Sequence, residues 1–324
     1  MPSPLPLRPA LLCALLWATA AAAEPLAVRD PNPLTRAAYL PTAAGVASAD
    51  GWQLDAQLTW SNTVNLGANA REQLLVDEET AELTLAVARE VGGWQLRASV
   101  PVIQRSAGAL DGFIDGWHRA FGLPQGDRPN RRRNAYALRY QRTGLAPLDV
   151  PAGTSLGDVA LEAGHVLAAG PRATLSGWVG LEAPTGSRSA LTGNGAWDAA
   201  TWLALEAQLA AHWTVSGRAG WSHSGGDGLL PLAREVGFGM AALSWRATQH
   251  LEALVQIDAH SALVRGSDLP FLSEAIELTL GGRYRLRSGA VIEAGVVEDI
   301  QVNHSPDVSF QLRWKKQAKA FPSH

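Results

Sequence analysis

Asp307-Val-Ser-Phe-Gln-Leu-Arg-Trp314, near the end of the chain, is the stretch that decides the fold. Val308, Phe310, Leu312 and Trp314 fall on one phase; Ser309, Gln311 and Arg313 fall on the other. A strand alternates faces with period two, so this segment has one wholly apolar face and one wholly polar face. The closing strand of a transmembrane β-barrel has that character, with lipid outside and water inside.

The same alternation recurs along the chain. Trp52, Leu54, Ala56, Leu58 and Trp60 interleave with Gln53, Asp55, Gln57 and Thr59. Segments at 81–87, 94–102, 136–140 and 276–286 repeat it, and 158–167, 172–183, 200–211, 213–223, 249–260 and 289–300 do so less cleanly. Residues 234–246 lose phase between Met240 and Leu243, which suggests a bulge. Soluble sandwiches alternate too. Their strands average about half the length seen here, which favours the barrel. Trp52, Trp60, Trp94, Trp213, Trp221 and Trp314 sit where interfacial girdles belong.

The N-terminus supports export. Arg8, the apolar run Ala10–Ala18 and Ala21-Ala22-Ala23 before Glu24 have the layout of a signal peptide over 1–23. A lipidated Cys13 is the competing reading, but Ala10-Leu11-Leu12 lacks the small residue needed beside the cysteine. Cleavage after Ala23 leaves no cysteine, hence no disulfide. The formal net charge of −3 loses one arginine and no acid with residues 1–23, becoming −4; nucleic acid is not an expected partner. No internal run is apolar for the roughly 18 residues a membrane helix needs.

The expected organisation is a periplasmic segment over 24–50, a barrel over 51–315 and a polar tail over 316–324. Short turns fall near 91–93, 169–171, 211–212, 247–249 and 288, and long loops near 63–78, 105–132, 184–199, 224–233 and 261–273. Thirteen clear strands are one short of an even count. Leu145–Val150, hairpinned with 133–142 through Arg142-Thr143-Gly144, would make fourteen, with Pro147 its weak point and twelve the fallback. The fold class is therefore all-β: a single antiparallel barrel with one short helix in a long loop.

That helix is expected in Asp111-Gly-Phe-Ile-Asp-Gly-Trp-His-Arg-Ala-Phe-Gly122, where Phe113, Ile114, Trp117 and Phe121 recur at helical spacing. Its aromatic face should pack inside the barrel or at its mouth, because a helix this short needs docking to persist. Asp111, Asp115, His118, Arg119, Arg128, Arg131, Arg132 and Arg133 make this loop the candidate functional segment. Arg128 to Arg133 allow two readings. Outside, they could bind lipopolysaccharide phosphates; folded inward, they would pair with lumen acids.

The chain resembles an uncharacterised family of proteobacterial outer-membrane proteins, classed only as a domain of unknown function. The resemblance rests on Asn32-Pro33-Leu34, Asp77-Glu78, the segment from Asp111 to Pro124, Gly157-Asp158, Pro184-Thr-Gly186, Glu298-Asp299 and Pro306-Asp307. It covers essentially all of the mature chain, and the helical segment is its most specific part. This chain continues ten residues past Trp314, where such chains commonly end. The resemblance implies a barrel in the outer membrane of a Gram-negative bacterium and supplies no activity.

Chemistry is sparse. His118 with Asp115 and Ser106 is the best hydrolase constellation, and no nucleophile motif accompanies it. No His, Cys or Asp spacing suggests a metal, and no cofactor is expected. The polar phases carry Asp55, Glu82, Glu162, Glu206, Glu252, Asp258, Glu277 and Glu293 against Arg97, Arg139, Arg218, Arg283 and Arg285. Mixed signs argue against strong ion selectivity. The expected role is passive or facilitated transport of a small solute, or a structural and lipid-contact role; a rim-site lipid or lipopolysaccharide hydrolase is the alternative. Outer-membrane lipid, lipopolysaccharide and the barrel assembly machinery, through 307–314, are the expected partners.

Overall fold

Alternation becomes antiparallel strands. The computed structural model describes residues 24–43, 51–122, 126–301, 304–306 and 308–318, so the signal-peptide reading of 1–23 lies outside the described residues. The strands are β1 (Trp52–Ala68), β2 (Glu72–Val91), β3 (Trp94–Ser106), β4 (Ala137–Arg142), β5 (Leu148–Asp149), β6 (Gly153–Leu156), β7 (Val159–Ala169), β8 (Ala173–Ala183), β9 (Asp198–Ala210), β10 (Trp213–His223), β11 (Glu235–Arg246), β12 (Leu251–His260), β13 (Ala275–Arg285), β14 (Val291–Asp299) and β15 (Val308–Ala318). One α-helix, α1 (Asp111–Phe121), lies between β3 and β4.

Twelve of these strands close a ring. β1 pairs with β2, β2 with β3, β3 with β7, and each strand from β7 to β15 with its successor. β15 then returns to β1, from Trp52 opposite Ala318 to Asn62 opposite Val308. Every pairing is antiparallel, and a ring of sequential antiparallel strands closes only with an even count. The count is the lower of the two the sequence allowed. The 137–149 hairpin does form, but β4 has 6 residues and β5 has 2. A tilted transmembrane strand needs about 9–11. β4 instead pairs with the far end of β2, Glu72 to Asp77, beyond the part that β3 occupies.

Three other expectations change. Residues 63–78 are not a loop: β1 and β2 stay paired from Trp52–Arg89 to Ala68–Gln73. β11 has no bulge, since its registers with β10 and β12 run unbroken. The barrel also runs to Ala318, three residues into the expected tail; 319–324 lie outside the described residues. β6 and β7 act as one strand against β3, interrupted beside Pro101. The Pro101 carbonyl accepts the Gly157 N–H at 2.9 Å, but proline has no N–H to return, so the ladder breaks there.

The outer wall is apolar and open. Leu58, Leu83, Leu161, Leu203, Val255, Leu280 and Leu312 are exposed on it, as are the six tryptophans placed in girdles. Such a surface would be an aggregation hazard in water and is the lipid face of a transmembrane barrel. At the long-loop end, loops pack a roof over the ring. Leu74, Val76, Leu138, Tyr140, Leu191, Leu230, Val264, Leu269 and Phe271 form its core.

Candidate functional site

The lumen is occupied by the chain's own N-terminal segment. Residues 24–43, expected in the periplasm, run inside the ring as a bent plug. Glu24 pairs with Lys315 near the short-turn end, and its carbonyl accepts a hydrogen bond from Arg283. Gln256, fully buried, then clasps Leu26 on both sides: its Oε1 accepts the Leu26 N–H at 2.9 Å and its Nε2 donates to the Leu26 carbonyl at 3.0 Å. One side chain thus satisfies a backbone stretch that has no strand beside it.

The plug turns back under the roof. The Asn32 amide donates to the Phe271 carbonyl at 2.6 Å, and Arg105 donates to the Pro33 carbonyl at 3.1 Å while paired with Glu78 at 3.2 Å. Asp30 meets His260 at 3.1 Å and accepts from Ser305 at 2.9 Å. Leu34 is buried in the roof core. On the return leg, Arg36 pairs with Glu82, the Tyr39 hydroxyl donates to Glu162 at 3.4 Å, and Trp202 Nε1 donates to the Ala43 carbonyl at 2.8 Å. Several residues on which the family resemblance rests, Asn32, Pro33, Leu34 and Glu78, meet at this turn.

The interior is two-sided. Ala38, Tyr39 and Leu40 pack on Trp178, Trp202, Val236 and Phe238, with the two indoles stacked at 5.7 Å. Leu26 and Val28 pack on Leu254 and Val297. Burying such side chains is worth about 1.5–3 kcal/mol each. Gly180 makes room, since a Cβ there would overlap the Tyr39 hydroxyl. The apparent phase loss in β11 is therefore an apolar inner face: Val236, Phe238 and Met240 point inward, and the first two meet the plug. The signal was present, because an aromatic on a strand's water-facing phase implies something apolar packed inside.

Against β1, β2, β3 and β7 the plug leaves a polar crevice. Arg29, Arg36, Asp55, Glu82, Arg97, Glu162 and Arg313 line it. Its charges are paired: Arg97 with Glu162 at 2.6 Å and Arg313 with Asp55 at 2.6 Å. Deeper in the lumen, Arg218 meets Asp258 at 3.2 Å, and Arg283 bridges Glu252 at 3.3 Å and Glu293 at 3.5 Å. Arg139, expected inside, lies on β4 outside the ring, paired with Asp149 in solvent. The crevice narrows to cavities of about 60 and 30 Å³, room for a few waters only. At the rim, burial raises the Asp158 carboxyl above its usual range, offset in part by the Gly186 N–H, which donates to it at 2.6 Å.

The loop residues singled out in the sequence lie elsewhere. α1 and residues 126–134 form a strap across the outside of the wall, not inside it or over its mouth. Ile114 and His118 are buried beneath the strap, and Phe113 and Trp117 meet Phe310 at 5.9 and 6.4 Å on the lipid face of β15. The side chain of Phe121 lies outside the description. The Glu79 carboxylate accepts the Ala109 and Leu110 N–H groups, each at 2.8 Å, and Gly122 in the left-handed conformation ends the helix. Asp111 binds Asn62 at 2.9 Å and Arg128 at 3.3 Å; Arg131 binds Asp77 at 2.6 Å; Arg133 binds Asp115 at 2.6 Å. None of these acids faces the lumen, so the inward reading of the arginines falls. Asp111, Asp115, Arg119, Arg128, Arg131, Arg132 and Arg133 do converge, around one cavity on the outer wall. His118 is apart from it, buried beneath the helix. Among the described residues, no group of three His, Cys, Asp or Glu is placed to hold a metal ion.

The fold and its surfaces define a plugged transmembrane β-barrel. The family model described as "Protein of unknown function (DUF3187)" matches residues 7–317, and the chain belongs to that family. No curated protein matches it. Among solved structures it is similar to an outer membrane channel from Pseudomonas putida F1, at 13% identity and a TM-score of 0.52, covering 83% of this chain and 96% of that one. It is also similar to the NanC porin, at 10% identity and TM-score 0.47, covering 82% and 99%. The Pseudomonas putida toluene transporter TodX aligns at 10% identity and TM-score 0.41, covering 89% and 97%.

Proposed function

We propose that this protein is a gated channel of the Gram-negative outer membrane, admitting a small polar solute when the plug moves. One observation carries the reading: the plug is asymmetric. Its main apolar contacts below the roof fall on the β8–β14 side, beside the Gln256 clasp and the Arg218 and Arg283 ion pairs, whereas against β1, β2, β3 and β7 it leaves an open crevice lined by paired charges. Buried ion pairs add little net stability over apolar packing, so a lining this charged is poorly explained as a stability device. The mixed lining suits a polar solute of either sign rather than a selected ion. Cavities of about 60 Å³ are too small for such a solute, so passage requires the plug to shift. The fold it shares with the channel of Pseudomonas putida F1 accords with this reading. The rim-hydrolase alternative gains no support, because His118 is buried under the strap instead of open to water.

The test is conductance in planar bilayers. Full-length protein should be silent or open briefly; protein lacking 25–43 should show long discrete openings. A deletion variant that still migrates as a heat-modifiable folded barrel, yet stays silent, would overturn the channel reading.

A further inference from the structure

The cavity under the strap is a second site, independent of the lumen. Its floor is the outer face of the β1–β2 ribbon, where Asn62, Val64, Asp77 and Glu79 continue upward from the exposed Trp60 and Leu83. These four are all buried, because the strap covers them. The cavity holds about 390 Å³ and is lined by Asp77, Asp111, Asp115, Arg119, Arg128, Arg131, Arg132 and Arg133, with Val64 and Pro129.

The charges do not balance. Three aspartates face five arginines. Arg128, Arg131 and Arg133 are each taken by one aspartate, and Arg128 also reaches the Asn62 amide oxygen. Arg119 and Arg132 line the same cavity, are exposed, and have no ion-pair partner among the described residues. Two exposed guanidinium groups therefore stand at a pocket whose lining holds two more arginines than aspartates. Guanidinium presents a planar fork that matches phosphate oxygens two at a time.

Position selects the source of the phosphate. The site is on the lipid-facing side of the wall, at the long-loop end. Phe113, on the same helix as Asp111, Asp115 and Arg119, is about half exposed on the face turned away from the cavity, and it forms an aromatic cluster with Trp117 and Phe310 on the wall. A cationic pocket on one face of the strap helix and a partly exposed aromatic cluster on the other match a lipid, with its phosphate in the pocket and its chains against the aromatics. A free anion would have no use for the patch.

We infer that the strap cavity binds the phosphate of a phosphorylated membrane lipid in the leaflet at the long-loop end, with Arg119 and Arg132 as its principal ligands. Arg128, Arg131 and Arg133 hold the strap in place through Asp111, Asp77 and Asp115 and shape the pocket. The strap also crosses the β15–β1 seam, where the barrel closes, so a bound lipid would brace that seam from outside.

The test uses full-length protein in detergent micelles. Binding is measured by Trp fluorescence with lipid A, with enzymatically dephosphorylated lipid A, and with inorganic phosphate alone. Lipid A should bind at least about tenfold more tightly than either of the other two. The double variant Arg119→Gln/Arg132→Gln should lose at least about tenfold in lipid A affinity while still running as a heat-modifiable barrel. Both residues are exposed and outside the ion-pair network, so folding should survive. Equal affinity of wild type and double variant would overturn the site. Equal binding of dephosphorylated lipid A would show that the aromatic patch alone drives association. Tight binding of inorganic phosphate without lipid preference would assign the pocket to a soluble anion. The last two results would each refute the lipid-phosphate assignment, and none of the three bears on conductance.

Discussion

At the residue scale, the decisive feature is how inward charged side chains find partners. Gln256 satisfies a backbone segment, Arg105 joins the plug to Glu78, and Arg283 bridges two carboxylates. The last case is directly testable. Arg283→Met leaves Glu252 buried without its cation, while Glu293 keeps Arg313 at 3.4 Å, and breaking such a buried pair costs about 3–5 kcal/mol. Arg139→Met breaks only the solvated Arg139–Asp149 pair, which should cost less than about 1 kcal/mol. Thermal loss of the folded gel form should therefore shift strongly for the first variant and hardly at all for the second. Equal shifts would mean that the two arginines have similar surroundings. The inward acids and bases were legible from strand phase, because period two assigns each to a face. Their pairing was not, because partners such as Asp55 and Arg313 are far apart in sequence and meet only across the β1–β15 seam.

At the element scale, the amphipathic spacing of Asp111–Phe121 specifies a helix but not its location. The spacing marks Phe113, Ile114 and Trp117 as neighbours; it does not say which surface they meet. That surface is the outer wall, because Asn62, Asp77 and Glu79 on the outward phase of β1 and β2 supply partners for the strap. A carboxylate on the lipid-facing phase needs a cover, and the outward-phase Asp77 and Glu79 of β2, with Asn62 opposite on β1, were the available clue. Ile114→Ala should weaken strap docking by about 2–5 kcal/mol, the usual cost of removing a buried aliphatic side chain. Limited proteolysis should then cut within 107–134 while the barrel strands resist. A strap that stays protected would show that the ionic contacts alone hold it.

At the scale of the whole molecule, the two ends of the barrel differ. Short turns gather at one end with Glu24, Gly51 and Ala318, and the roof of loops gathers at the other. A tag inserted at Ser189, in a roof loop, should be reached by antibody on intact cells, and one at Pro171, in a short turn, should not. Reversed labelling would invert the orientation and move the strap cavity to the other leaflet.

The alternation of apolar and polar residues by itself determined that this chain forms long antiparallel strands with a lipid face. Facing is a local property of backbone geometry, so it survives without knowledge of neighbours. Strand number, the interior and the strap were settled only in three dimensions. Whether 137–149 joins the ring depends on how far β2 outruns β3. Whether 24–43 leaves the barrel or fills it depends on whether an apolar patch from β8 to β14 awaits it. Each is a contact between segments many residues apart, and no local pattern encodes the distance between them.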